Sequence, residues 1–215
     1  VGLDKANLTR RDLEILDTLT LRVRVLSLPQ VAATWFGEAR DAHRAAERRL
    51  IALDRRGLIL RFVMAARPPL ELDRPLASWQ VGQAPPEFST LAAALARRWR
   101  QRACPVPCVI ATRSAGTWLG GHGGRQPRRS EISHDLTLAN VYLRWRCENP
   151  YAIGEWYSES RLSGLGFGKA TRLPDALVRR DGQPWVVEVG GLYSADKLAD
   201  FHAFCSVQGL PYELW

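Results

Sequence analysis

The sequence predicts a mixed α/β chain, α+β overall, made of an arginine-rich helical first part and a second part of order α-β-β-β-α-β. Three observations predict it. Up to about residue 102, apolar residues recur at helical spacing behind capping signatures. From residue 131 the pattern shifts to one helix followed by short, β-branched apolar runs around an Asp181-Gly182 turn. The charge divides at the same place: residues 1–130 carry 22 Lys+Arg against 11 Asp+Glu, and residues 131–215 carry 8 against 11, within a total of +8. A basic part joined to a mildly acidic part points to a polyanion meeting only one of them. The expected boundaries are 1–85 for a winged-helix domain, 86–130 for a linker of helix, strand and Gly/Arg-rich loop, and 131–215 for the mixed domain.

The first helix is expected over 10–20, where Thr9 and Asp12 form a capping-box start and Leu13, Leu16 and Leu19 share a face. Ser27 and Gln30 repeat the signature ahead of a short helix to about Phe36. A third helix over 39–56 stops at Gly57. Its projection collects Ala42, Ala46, Leu50 and Leu53 in one sector and Arg40, Arg44, Arg48 and Arg55 on the other side. One face suits a core and the other suits phosphates. A strand over 58–64 carrying Arg61, a proline-rich connection and a returning strand over 78–81 complete the order of a winged helix, in which the third helix enters the major groove. Arg40, Arg44, Arg48, Arg55 and Arg61 are therefore the expected contacts to double-stranded DNA. A solvated arginine stripe on a protein-interaction module is the competing reading. Lysine occurs only at Lys5, Lys169 and Lys197, and arginine's planar fork suits phosphate and guanine edges, although GC-rich coding produces the same bias.

A fourth helix is expected over 87–102, with Leu91, Leu95 and Trp99 on one face, as a domain link or a homodimer support. A strand over 106–112 and a mobile loop over 116–130 follow, the loop rich in glycine but without a G-x-x-x-x-G-K-[ST] pattern, so nucleotide binding is not expected. Cys104-x-x-x-Cys108 with His122 and His134 permits a zinc site, but the two intervening prolines and scattered histidines fit no standard knuckle. The four cysteines suit a reduced compartment. No apolar run reaches the ~18 residues of a membrane span and no signal-peptide pattern opens the sequence, so a soluble, cytoplasmic protein is expected.

In the second part a helix is expected from 131 for about 15 residues. It is followed by strands over 155–162, 176–180 and 185–190, a helix over 194–208 and a strand over 211–215. Asp175 opens one arm of the hairpin and Glu188 closes the other, so antiparallel pairing brings the two carboxylates side by side, as a hard cation such as Mg²⁺ or Mn²⁺ requires. A turn-capping Asp175 with a solvated Glu188 is the plainer alternative.

Pro174-Asp175, the twelve-residue gap and Glu188-Val189-Gly190, with this element order, resemble the PD-(D/E)xK nuclease superfamily, that is, a restriction-endonuclease-like domain. The whole chain resembles the replication-relaxation family of plasmid and mobile-element proteins. That resemblance rests on the L-T-x-R-D-L-x-I-L opening, the A-x-R-R-L-x-x-L-x-x-R-G-L segment from Ala46 to Leu58, His134-Asp-Leu, Trp156-Tyr-Ser-Glu159 and the Pro-Asp and Glu-Val signatures. The resemblances imply a DNA-binding role in plasmid replication or DNA relaxation, alongside other replication or mobilisation proteins. They also imply a metal shell of Asp175, Glu188 and the Val189 carbonyl. The superfamily's lysine position is Gly190 here, and Lys197 is the expected substitute. Glu159, Glu131 and Asp135 are candidates for a further carboxylate. Either the site cleaves DNA as a metal-dependent endonuclease, or it is catalytically degenerate and the chain acts as a replication factor, regulator or adaptor.

Overall fold

A computed structural model of the chain describes residues 7–68, 72–168 and 172–215. The chain divides into two compact units, and each is discontinuous: residues 1–69 with 103–143, and residues 70–102 with 144–215. The mixed α/β class is as expected. The boundaries differ from a division at 85 and 130, because the 86–130 stretch is no linker. Its helix belongs to the second unit and its strand to the first.

In the first unit, helix α1 (Arg10–Asp17) carries the full Thr9/Asp12 capping box and runs into a π-helical turn over Thr18–Arg22. Strand β1 (Leu26–Ser27) leads directly into α2 (Leu28–Phe36), whose Ser27/Gln30 capping box is likewise complete. Gln30 then reaches on to the Leu136 carbonyl at 2.8 Å and to Asn140 Oδ1 at 2.6 Å. Helix α3 (Ala42–Arg55) starts three residues later than expected, because Asp41 is its N-cap and accepts from the Arg44 backbone N–H. Strand β2 (Ile59–Ala66) follows.

The strand over 78–81 expected to return beside β2 does not do so. Strand β4 (Cys104–Ala111) pairs with β2 along eight residues, from Ile59↔Ala111 to Ala66↔Cys104, and with β1 on its other edge. A ladder of eight pairs outweighs a three-residue candidate, and sequence proximity has no say in it. Val25, Ala66, Val106, Cys108, Ile110, Ile132 and Leu136 form one core cluster, with Ile132 and Leu136 supplied by α6 (Ile132–Glu148).

The expected glycine-rich loop is also ordered differently. Residues Arg113–Leu119 form helix α5, and the glycines after it make close backbone approaches. A Cβ on Gly121 would lie 2.3 Å from the Thr20 carbonyl oxygen, and one on Gly123 2.2 Å from that of Thr112. His122 and Gly124 donate their N–H groups to Thr20 and Ala111, each at 2.8 Å. Glycine here permits close backbone packing.

In the second unit, β3 (Ala77–Trp79), β5 (Trp156–Ser158), β6 (Ala176–Arg180), β7 (Gln183–Glu188) and β8 (Tyr212–Leu214) form one sheet of order β3-β8-β7-β6-β5. Strands β6 and β7 join through Asp181-Gly182, both at positive φ (50° and 78°), the geometry of a two-residue type I′ turn. The connection is therefore shorter than the sequence suggested. Helix α8 (Ala195–Val207) links β7 to its parallel neighbour β8. Helix α4 (Phe88–Arg98), capped by Glu87, places Leu91 and Leu95 in a core with Trp79, Val186, Leu198, Phe201, Tyr212 and Leu214. It is a core helix of this unit, not a link. The expected long strand over 155–162 turns helical at Glu159, the first residue of α7 (Glu159–Gly164). Among the described residues, no helix is long and apolar enough to cross a membrane.

Candidate functional site

The β6–β7 register decides where the carboxylates lie. Ala176 pairs with Val187, so one step further Asp175 stands opposite Glu188, and directly opposed residues project from the same face with Cβ atoms about 5 Å apart. Asp175 is fastened at both ends: its carbonyl accepts the Glu159 N–H at 3.1 Å and its Oδ2 accepts the Val189 N–H at 2.8 Å. Glu188 is buried, 3% exposed. Its Oε1 accepts the Tyr193 hydroxyl at 2.9 Å and the Arg172 guanidinium at 3.3 Å.

Lys197 joins this cluster from the first turn of α8. Its Nζ lies 3.6 Å from the centre of the Tyr193 ring, whose hydroxyl is the one on Glu188. Lys197 is exposed as a residue, but partial desolvation and the Arg172 charge hold its ammonium below its ordinary value, and the charges of Glu188 and Asp175 oppose that shift. Burial likewise pushes the Tyr193 hydroxyl up, with the two carboxylates adding to it. Lys197 is thus within electrostatic reach of both Asp175 and Glu188.

Gly190 is packed against the Leu95 side chain of α4. A Cβ there would lie 2.5 Å from the Leu95 side chain, while its carbonyl accepts the Trp99 indole N–H at 2.7 Å and its N–H donates to the Trp215 carbonyl at 2.9 Å. A side chain at the usual lysine position would have to displace Leu95 of α4.

The donor set of Asp175, Glu188 and the Val189 carbonyl is all oxygen, which suits Mg²⁺ or Mn²⁺. Mg²⁺ commonly takes only one or two carboxylates and completes its shell with water and phosphate oxygens. Among the described residues there is no group of three or more His, Cys, Asp or Glu able to hold a metal. Of the further carboxylates considered from sequence, Glu131 and Asp135 lie elsewhere, paired with Arg24 at 3.5 and 3.2 Å inside the first unit, whereas Glu159, the first residue of α7, stands beside Asp175 through its backbone N–H. Cys104 and Cys108 lie four residues apart on β4, a strand separation of about 13 Å, too far to share an ion.

Of the arginines expected to face DNA, Arg44, Arg48 and Arg55 are exposed on α3, opposite its buried Ala46, Leu50 and Leu53. Arg40 is exposed in the turn before α3, not on the helix. Arg61 is exposed on β2 with its guanidinium 3.8 Å from Glu47. Lys5 and Lys169 lie outside the described residues.

Arg172 and Tyr193 are the site residues that sequence reasoning missed. Neither belongs to a motif. The one available signal was proximity, Arg172 three residues before Asp175 and Tyr193 five after Glu188. Comparison with family models, with curated proteins and with solved structures found no match for this chain.

Proposed function

We propose that this chain is a DNA-binding protein whose second unit holds a Mg²⁺- or Mn²⁺-dependent site for hydrolysing a phosphodiester. The observation that carries this reading is the convergence of Asp175, Glu188 and Lys197 although Gly190 stands in the usual lysine position. Asp175, Glu188 and the Val189 carbonyl would hold the ion, which when bound polarises the scissile phosphate and lowers the pKa of a water nucleophile. Lys197 supplies a positive charge beside the carboxylates, where it stabilises charge growing on a phosphate oxygen. The three α-helices ahead of strand β2 in the first unit and the exposed Arg44, Arg48 and Arg55 support a winged helix that binds the duplex by phosphate contacts. A role in replication or relaxation of plasmid DNA follows from the family resemblance.

A second reading is a DNA-binding replication factor or regulator that does not cleave. The Arg172–Glu188 pair favours it, since a guanidinium already answers the charge of a buried carboxylate.

Incubating supercoiled plasmid with Mg²⁺ or Mn²⁺ separates the two. Nicking by the wild type and none by Asp175→Ala is the expected result. Equal nicking by both removes Asp175 from the chemistry, and no nicking by either selects the second reading. In parallel, Arg44→Ala with Arg48→Ala should weaken duplex binding and lower the log–log salt slope by about 2. An unchanged slope removes α3 from the DNA interface.

A further inference from the structure

Lys197 sits on a flexible four-carbon stem, and a lysine that reaches a site from a neighbouring element needs something to aim it. Two contacts of Tyr193 meet that need together. Its hydroxyl donates to Glu188 Oε1 at 2.9 Å, and the face of the same ring lies 3.6 Å from Lys197 Nζ. The residue is itself held by short-range structure: the Tyr193 backbone N–H donates to the Gly191 carbonyl at 2.8 Å, and the next residue, Ser194, caps α8 by accepting the Lys197 backbone N–H at 3.2 Å. One aromatic side chain therefore touches both the carboxylate that would bind metal and the ammonium that would face phosphate.

We propose that Tyr193 is the positioning residue of this site: its hydroxyl orients Glu188 and its ring seats Lys197, so that a lysine from α8 replaces the one absent at position 190. This rests on the reading of Asp175 and Glu188 as metal ligands. The two halves of the role use different physics and come apart by substitution. Tyr193→Phe keeps the cation–π seat and removes the donor to Glu188. Tyr193→Leu removes both.

The test uses the full chain. The protein contains three lysines, so ¹³C-lysine labelling gives three spin systems, and Lys197→Arg identifies the one from Lys197. Its ε-methylene protons should be shifted upfield by the ring in the wild type and in Tyr193→Phe, and should return to the free-lysine position in Tyr193→Leu. Titration with Mn²⁺ should show about tenfold weaker binding in Tyr193→Phe than in the wild type, the scale of losing an orienting partner behind a metal ligand. An unshifted Lys197 methylene in the wild type overturns the proposal, and so does Mn²⁺ affinity that is equal in the wild type and Tyr193→Phe. A wild type that takes up no Mn²⁺ overturns the metal reading instead, while the methylene shift still decides whether Tyr193 seats Lys197.

Discussion

Three buried carboxylates among the described residues, Asp12, Glu188 and Glu213, are answered by arginine, and they differ in how completely. Asp12 is fully buried, yet four donors converge on it: the Thr9 N–H and hydroxyl, each at 2.7 Å, Arg49 Nε at 2.6 Å and Arg49 Nη2. Burial alone would raise its pKa, but the bonds from Arg49 and Thr9 win and hold it below the ordinary value of 3.8. A carboxylate depressed on folding contributes stability above its unfolded pKa, and that contribution disappears as pH falls through the folded value. Arg49→Ala strands the Asp12 charge and should destabilise the protein by about 3 kcal/mol near neutral pH. In that variant Asp12 folds more readily when protonated. The gap to the wild type in chemical denaturation should therefore narrow as pH drops from about 5 to about 3. A gap that stays constant would mean Asp12 is not the group responsible. Both capping boxes were legible in the sequence, because Ser or Thr followed three residues later by a suitable acceptor is a local rule with a local cause. The Arg49–Asp12 pair was not legible, since 37 residues separate its partners. Arg172 and Tyr193 escaped for a different reason: they are near the carboxylates in sequence, but their roles exist only once β7 and α8 are in place.

At the level of elements, helices were read well and strand partners poorly. The arginine sorting on α3 followed from its 3.6-residue period, and only its start moved, because Asp41 caps it. In the second part the β6–β7 hairpin and the helix and strand after it were legible in periodicity and turn residues, and the I′ turn follows from Asp-Gly, but α7 stands between β5 and β6 where no helix was expected. Strand β3 shows the limit. Its apolar content announced a strand, but nothing in three residues names Tyr212–Leu214 as its partner. The glycines after α5 were misread because flexibility and close packing use the same residue. Substitution distinguishes the two uses. Gly123→Ala drives a Cβ into the Thr112 carbonyl and should lower stability by about 1–3 kcal/mol. Gly164→Ala in α7 meets nothing within 4 Å and should raise it by about 0.4–1 kcal/mol. Thermal denaturation of the two variants checks both directions, and a neutral Gly123→Ala would restore the mobile-loop reading.

Across the whole molecule, the charge division seen in sequence changes once the units are known. The unit of residues 1–69 and 103–143 holds 17 Lys+Arg against 10 Asp+Glu, and the other holds 13 against 12. The first unit remains the basic one, but the second is not acidic, because Arg97, Arg98, Arg100 and Arg102 belong to it. The interleaving also determines which fragments can fold. A fragment of residues 1–85 leaves the eight-residue edge of β2 without β4 and should melt without cooperativity or aggregate. Because Ala66 and Cys104 are cross-strand neighbours, replacing residues 68–102 by an Asn-Gly turn within a 1–143 fragment should restore a cooperative melt by circular dichroism. Failure of that hairpin graft would show that the first unit depends on the inserted segment. The same Ala66↔Cys104 pairing has a consequence on the ribosome. At about 5–20 residues per second, the edge of β2 that pairs with β4 emerges seconds before β4 does, and β7 emerges before β8. Each unit thus passes through a stage with an open sheet edge, and a chaperone that shields edges during synthesis is expected to act on both.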